Sequence, residues 1–262
     1  MVRIKAMEAM ESLLTRETAL RKVHAISDGE NRMTSKTSRR SFMAATGAGL
    51  GMFALSPLQD DEDATSVPPP KYATILFDGK SLSNWMSTKG GPAGWKVASS
   101  YMEVAPGSGN IYTKEVFGDF QLHLEFWLPL MEKSRGQSRA NSGVYLQGRY
   151  EAQVLDSYGL QSQDDDCGAF YKIAVPLRNA CKKPERWQSY DFAFRAARVD
   201  SANKVTENAR VTVFHNGVMI HNNLELPRAT PGGLDEDVTK PGPLLLQDHD
   251  NLVRYRNIWA VA

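Results

Sequence analysis

Beyond Tyr72 the chain alternates apolar and polar residues in short runs, separated by clusters of Gly, Pro, Asn and Asp. Period-two alternation marks half-buried strands, because successive side chains leave a strand on opposite faces. In residues 121–128, Leu122, Leu124, Phe126 and Leu128 share one face, while Gln121, His123, Glu125 and Trp127 share the other. Residues 144–147 and 150–155 read as a strand pair joined at Gly148-Arg149. Residues 211–215 and 218–221 flank Asn216-Gly217, a two-residue hairpin signal because both positions tolerate positive φ. Further runs fall at 95–104, 190–199, 244–248 and 253–261, and no long amphipathic helix separates them. About ten to twelve short strands predict an all-β fold: an antiparallel two-sheet β-sandwich of jelly-roll type.

The first 71 residues follow another pattern. Arg39-Arg40, then Phe42 and an apolar stretch rich in Ala and Gly up to Leu55, have the layout of a twin-arginine export signal. Residues 1–32 are long and charged for such a signal, and Met33 opens a more conventional start, so translation is expected to begin there. Residues 60–71 are acidic and then proline-rich, the composition of an extended linker. The expected organisation is an N-terminal extension and signal over 1–59, a linker over 60–71 and the sandwich over 72–262. Such a chain meets the twin-arginine export machinery and is periplasmic or secreted.

Charge narrows the partners. Residues 1–59 carry 9 of the 31 basic and 5 of the 30 acidic residues, which leaves the remainder slightly acidic, at about −3. That balance gives no general attraction for nucleic acid or anionic lipid. No apolar run reaches the roughly 18–20 residues of a membrane span.

Several segments, in order, resemble the 3-keto-disaccharide hydrolase family. They are Phe77-Asp78-Gly79-Lys80-Ser81-Leu82 with Trp85, Asp119 to Phe126, Asn141-Ser142-Gly143-Val144-Tyr145, and Tyr150 to Asp156. Gly168-Ala169-Phe170-Tyr171, Asn179-Ala180, Lys183-Pro184, Trp187, Asn216-Gly217, Leu246 to His249 and Arg256-Asn257-Ile258 complete them. Gln188 stands where the family usually has Asn, and Asp250 where it usually has Gly. The resemblance implies a concanavalin A-like lectin/glucanase fold. It also implies a hydrolase, or a lyase followed by hydration, that cleaves glycosides oxidised at carbon 3.

A ketone at carbon 3 acidifies the hydrogen on carbon 2, so a base can remove it and the group on carbon 1 can leave. The chemistry needs a base, an acid at the leaving oxygen, and donors for the developing oxyanion. Glu125 and Glu151 are the acid–base candidates, or else the solvated halves of two half-buried strands. Asn141, Gln153, Asp156, Gln247 and His249 are expected to bind substrate; Gln153 shares its strand face with Glu151, and His249 shares one with Gln247. Arg149 either meets the ketone oxygen or faces solvent, and Tyr171 and Trp187 read as packing. The alternative from another class is a non-catalytic, lectin-like carbohydrate-binding module. No cofactor is expected; Asp164-Asp165-Asp166 could hold a structural calcium, although the ligand spacing of a recognised loop is missing. Cys167 and Cys181, the two cysteines, are either a disulfide or two separate buried thiols.

Overall fold

The computed structural model describes residue 63 and residues 66–262. The twin-arginine segment, the start at Met33 and most of the acidic stretch lie outside the described residues. Fifteen strands follow in chain order: β1 (Thr74–Phe77), β2 (Trp85–Ser87), β3 (Lys96–Ala98), β4 (Tyr101–Glu103), β5 (Ile111–Phe117), β6 (Phe120–Trp127), β7 (Ser142–Leu146) and β8 (Tyr150–Val154). They continue as β9 (Trp187–Arg195), β10 (Arg198–Val199), β11 (Val205–Glu207), β12 (Ala209–His215), β13 (Val218–Leu226), β14 (Gly242–Leu246) and β15 (Arg254–Val261). Among the described residues there is one 3-10 turn, Gly136–Ser138, and no α-helix. No helix there is long and apolar enough to cross a membrane.

The strands form the expected antiparallel sandwich. An eight-stranded sheet runs β13-β12-β9-β6-β15-β4-β3, with β1 also on β15, and a five-stranded sheet runs β2-β5-β14-β7-β8. Leu122, Leu124 and Phe126 of β6 meet Val144, Ala152 and Leu246 of the smaller sheet in one apolar core. Burying such side chains contributes about 1.5–3 kcal/mol each and fixes which face of each strand points outward.

Turn chemistry explains where the strands differ from the sequence pattern. Residues 95–104 break into β3 and β4 because Ser99 and Ser100 both take positive φ, +48° and +71°, without a glycine to announce it. The β7–β8 hairpin turns on Gln147 and Gly148, at +52° and +67°, one residue earlier than the sequence suggests. Asn216-Gly217 turns as expected, at +52° and +76°.

The linker does not simply extend away from the domain. Ser66 Oγ donates to Glu125 Oε1 at 2.6 Å, Asn257 Nδ2 donates to the Val67 carbonyl at 2.8 Å, and the Trp187 N–H donates to Asp63 Oδ1 at 2.9 Å. These contacts lay the described part of the linker across the outer face of the larger sheet.

Candidate active site

The site is built on the outer face of the smaller sheet. In the β7–β8 pair, Gly143 opposes Gln153 and Tyr145 opposes Glu151, while Val144 and Ala152 face the core. Leu245 and Leu246 of β14 pair with Tyr145 and Val144, which brings Gln247 to the same outer face. A cavity of about 180 Å³ opens there, lined by Asn141, Tyr145, Glu151, Gln153, Gln247 and His249, with Gln137, Tyr171, Pro231 and Gly232 at its edges. Sites for drug-sized ligands begin near ~300 Å³, so this volume suits about one sugar ring.

Loops complete the walls. Residues 168–171 run beside β8: the Gln153 N–H donates to the Ala169 carbonyl at 2.9 Å, and the Tyr171 N–H to the Glu151 carbonyl at 3.1 Å. That places Tyr171 at the rim. The opposite rim, Thr230 to Gly232, is tied down because the Glu151 N–H donates to Thr230 Oγ1 at 2.9 Å. Asp248 turns its carboxylate away, accepting from the Gly109 and Asp250 N–H groups at 2.9 and 3.0 Å, and so braces the turn that carries His249.

Glu151 is 3% exposed, and burial pushes its carboxyl up to about 8, with hydrogen bonding to Tyr145 only partly offsetting that. It is therefore mainly neutral at pH 7, a proton donor. Burial likewise pushes the Tyr145 phenol far above its ordinary value, with the neighbouring Glu151 adding to it, so Tyr145 stays protonated. Gln247 Nε2 donates to the Tyr145 oxygen at 3.0 Å. With its nitrogen turned inward, the Gln153 carboxamide reaches Glu151 Oε1 at 3.2 Å and the Ser142 carbonyl at 3.0 Å. Asn141 Oδ1 and Gln247 Oε1 are buried acceptors without a protein partner. A hydroxyl-rich ligand supplies the donors that such oxygens lack.

The structure brings together Asn141, Glu151, Gln153, Gln247 and His249, and separates the other two residues expected with them. Glu125 lies on the far side of the core. Its strand alternates as expected, but the polar face of β6 is the outer face of the larger sheet. There Arg256 Nε donates to Glu125 Oε2 at 2.6 Å, Asn257 Nδ2 donates to Oε1 at 2.8 Å, and His123 Nε2 lies 3.7 Å from Oε1. Arg256 stacks over Trp187 and Arg254 over Trp127, at 3.9 and 4.1 Å from the ring centroids. Asp156, just past the end of β8, accepts from Arg139 Nη2 at 2.6 Å and does not line the cavity.

Arg149 meets neither solvent nor the cavity: it is 2% exposed, and its Nε donates to Asp235 Oδ1 at 2.7 Å while Nη1 donates to the Lys240 carbonyl. Lys172 Nζ holds Asp164 and Asp165, at 3.0 and 2.6 Å, and Asp166 accepts from the Gln163 N–H. Cys167 and Cys181 are free thiols. The site residues missed from sequence are Tyr145, Gln137, Pro231 and Gly232, with Tyr171 misjudged as packing. Tyr145 shares the period-two face of Gly143, a signal that was available. Gln137 and the Pro231-Gly232 rim come from loops that only the tertiary fold brings in.

Comparison with known proteins agrees with this architecture. The profile of the 3-keto-alpha-glucoside-1,2-lyase-like domain matches residues 72–261. A candidate glycosyl hydrolase from Parabacteroides distasonis is 35% identical and superposes with a TM-score of 0.67, over 83% of this chain and 99% of its own. A second candidate glycosyl hydrolase from that organism is 19% identical with a TM-score of 0.55, over 72% of this chain and 92% of its own, a likeness of fold. No curated protein matches the sequence. With the profile spanning the whole sandwich and a full-length relative above 30% identity, the chain belongs to the family of 3-keto-alpha-glucoside-1,2-lyase-like domains.

Proposed function

We propose that the cavity cleaves 3-keto-glycosides by elimination across carbons 1 and 2, with Glu151 as the acid and His249 as the base. The observation that carries this reading is the carboxylate count. Glu151 is the single carboxylate that lines the cavity among the described residues. Ordinary glycoside hydrolysis uses two, about 5–10 Å apart, one as acid and one ionised as nucleophile or base. Here the second is missing, and the one present is held neutral by burial. A 3-keto sugar needs no second carboxylate, since its ketone makes the carbon 2 hydrogen acidic.

In the proposed step His249 takes the carbon 2 proton, and the electron pair of that bond moves toward the ketone as an enolate. The enolate then collapses to a double bond between carbons 1 and 2, the bond from carbon 1 to oxygen breaks, and Glu151 protonates the departing oxygen. Donors aimed at the ketone oxygen strengthen as charge develops there; the Tyr145 hydroxyl and the Gln247 N–H not used on Tyr145 are the groups at hand, while Asn141 Oδ1 accepts from a sugar hydroxyl. Tyr171 offers a ring at the rim for the apolar face of the sugar. Water adding to the enol ether product would complete a net hydrolysis.

The test is incubation with a 3-keto-glucoside and with its unoxidised parent. Aglycone release from the first alone, lost in Glu151→Gln, supports the reading. In deuterated water, exchange at carbon 2 should persist in Glu151→Gln and vanish in His249→Ala. Tight binding of either sugar without turnover would instead identify a lectin-like module.

We also infer export, on the strength of Arg39-Arg40 and the apolar stretch behind them. Replacing both arginines with lysine should leave the precursor in the cytoplasm, and unchanged export would refute this.

A further inference from the structure

Two thiols lie outside the cavity, at the two ends of one tethered loop. Cys167 is 2% exposed and its sulfur lies 3.2 Å from Tyr190 Oη. The Tyr190 hydroxyl itself donates to the Gln153 carbonyl at 2.8 Å, so the Cys167 thiol is left as the donor to Tyr190. Cys181 is half-buried, with its S–H directed at the Leu155 carbonyl at 3.7 Å, and it packs against the same apolar cluster that holds Cys167.

Their backbones are tied to one short stretch of chain. The Cys167 N–H donates to Ser157 Oγ at 3.0 Å. Asn179 Nδ2 donates to the Ser157 carbonyl at 2.7 Å, and Asn179 Oδ1 accepts from the Cys181 N–H at 2.9 Å. Ser157 is thus a common anchor, and the loop from Gly168 to Ala180 leaves from it and returns to it. That loop carries Tyr171, the aromatic residue at the cavity rim.

We propose that Cys167 and Cys181 are a redox modification site, a dithiol that closes to a disulfide when it meets a disulfide donor. Cys181, the more exposed sulfur, attacks the donor R–S–S–R, releasing one R–SH and forming a mixed disulfide. Cys167 then attacks the Cys181 sulfur and expels the second R–SH, which takes up the proton Cys167 gave up. Two protein thiols and one donor disulfide become one protein disulfide and two donor thiols. The two electrons pass to the donor, and no other reactant is needed.

Closure cross-links the loop that carries Tyr171 without touching Glu151 or His249, so the proposal stands apart from the catalytic reading. Burial of Cys167 shields the finished bond from external thiols.

The experiment treats the purified chain with oxidised glutathione or with dithiothreitol, quenches in acid, and alkylates after denaturation. The reduced sample should take two alkyl groups; the oxidised one none, with its mass lower by two hydrogens and the Cys167 and Cys181 peptides joined. Its thermal midpoint should rise by roughly 5–10 °C, as expected for closing a loop of this length. In Cys167→Ser, Cys181 should stop at the glutathione adduct with no rise in midpoint. Two alkyl groups after prolonged oxidation, or a wild-type chain stalled as the glutathione adduct, would overturn the proposal.

Discussion

The carboxyl of Glu151 lies over the backbone of Gly143, its neighbour on β7, closer than any Cβ at that position would tolerate. The ring of Tyr145 bounds the same space, 3.0 Å from where that Cβ would stand. Gly143 therefore sets where the Glu151 carboxyl sits. Gly143→Ala is expected to keep the fold but displace the carboxyl by about 1 Å, a shift that can cost on the order of 100-fold in rate. Comparing kcat with the thermal midpoint checks this; a midpoint that collapses along with activity would mean that the strand itself needs the glycine.

Glu151 also ties activity to pH. Because burial raises it to about 8, kcat/KM should fall as pH rises through about 8, where the acid is lost. Folding responds in the opposite sense to an ordinary surface carboxylate. The group is protonated more readily folded than unfolded, so stability is highest below about pH 4.5 and declines as pH climbs towards 8. Glu151→Gln should then be inactive yet more stable than the parent at pH 8 by roughly 1–3 kcal/mol. Denaturant melts at pH 5 and pH 8 test it: the gain should be small at the first and clear at the second.

A second pH window belongs to the outer face of the larger sheet. Burial alone would raise Glu125, but its contacts with His123, Ser66, Asn257 and Arg256 outweigh this and hold it at about 2. Burial alone would lower His123, yet Asp191 and Glu125 push it up to about 9. The stabilisation from Glu125 is complete above about pH 4.5 and is lost as pH falls towards 2. That from His123 is complete below about pH 6.5 and is lost as pH rises through about 9. Glu125→Gln should lower stability most between those limits and leave kcat unchanged, since the cluster is far from the cavity. A large loss of kcat with folding intact would return Glu125 to the chemistry.

Arg149 governs the rim from beneath. Its guanidinium holds Asp235 at about 2 and accompanies the bond to the Lys240 carbonyl. Arg149→Met keeps the buried bulk but releases residues 230–240. Because Asp235 is well exposed, the stability cost should be modest, about 1–3 kcal/mol. KM should rise more than kcat falls as Pro231 and Gly232 lose their fixed place. An unchanged KM would show that the rim does not contact substrate.

The sandwich was legible because burial writes itself into period-two alternation, and β6, β12 and β13 lie within a few residues of where that pattern puts them. Glu151, Gln153 and Gln247 could be assigned to strand faces for the same reason. Alternation cannot say on which sheet an outward face lies. Glu125 and Glu151 have the same local pattern, and only the long-range pairing of β6 with β15 and of β7 with β14 sends them to opposite sides of the core. Ser99-Ser100 escaped notice because serine gives no strong sign of positive φ. Arg149 escaped because its partner, Asp235, is distant in sequence.

The turn that carries His249 supports a final prediction. Asp250 has φ of +60°, a conformation that glycine adopts freely and that an L residue adopts at a cost, although aspartate tolerates it better than most. Glycine, the residue that the family resemblance leads one to expect here, takes this conformation without that cost. The Asp250 side chain is exposed, and the bond that shapes the turn runs from the Asp250 N–H to Asp248 Oδ1, which glycine retains. Asp250→Gly should therefore stabilise the folded chain by about 0.5–1 kcal/mol, less whatever entropy the unfolded chain regains. His249 should keep its place and kcat its value. A lower denaturation midpoint would mean that the aspartate carboxylate supports the turn through a contact worth more than the strain it relieves.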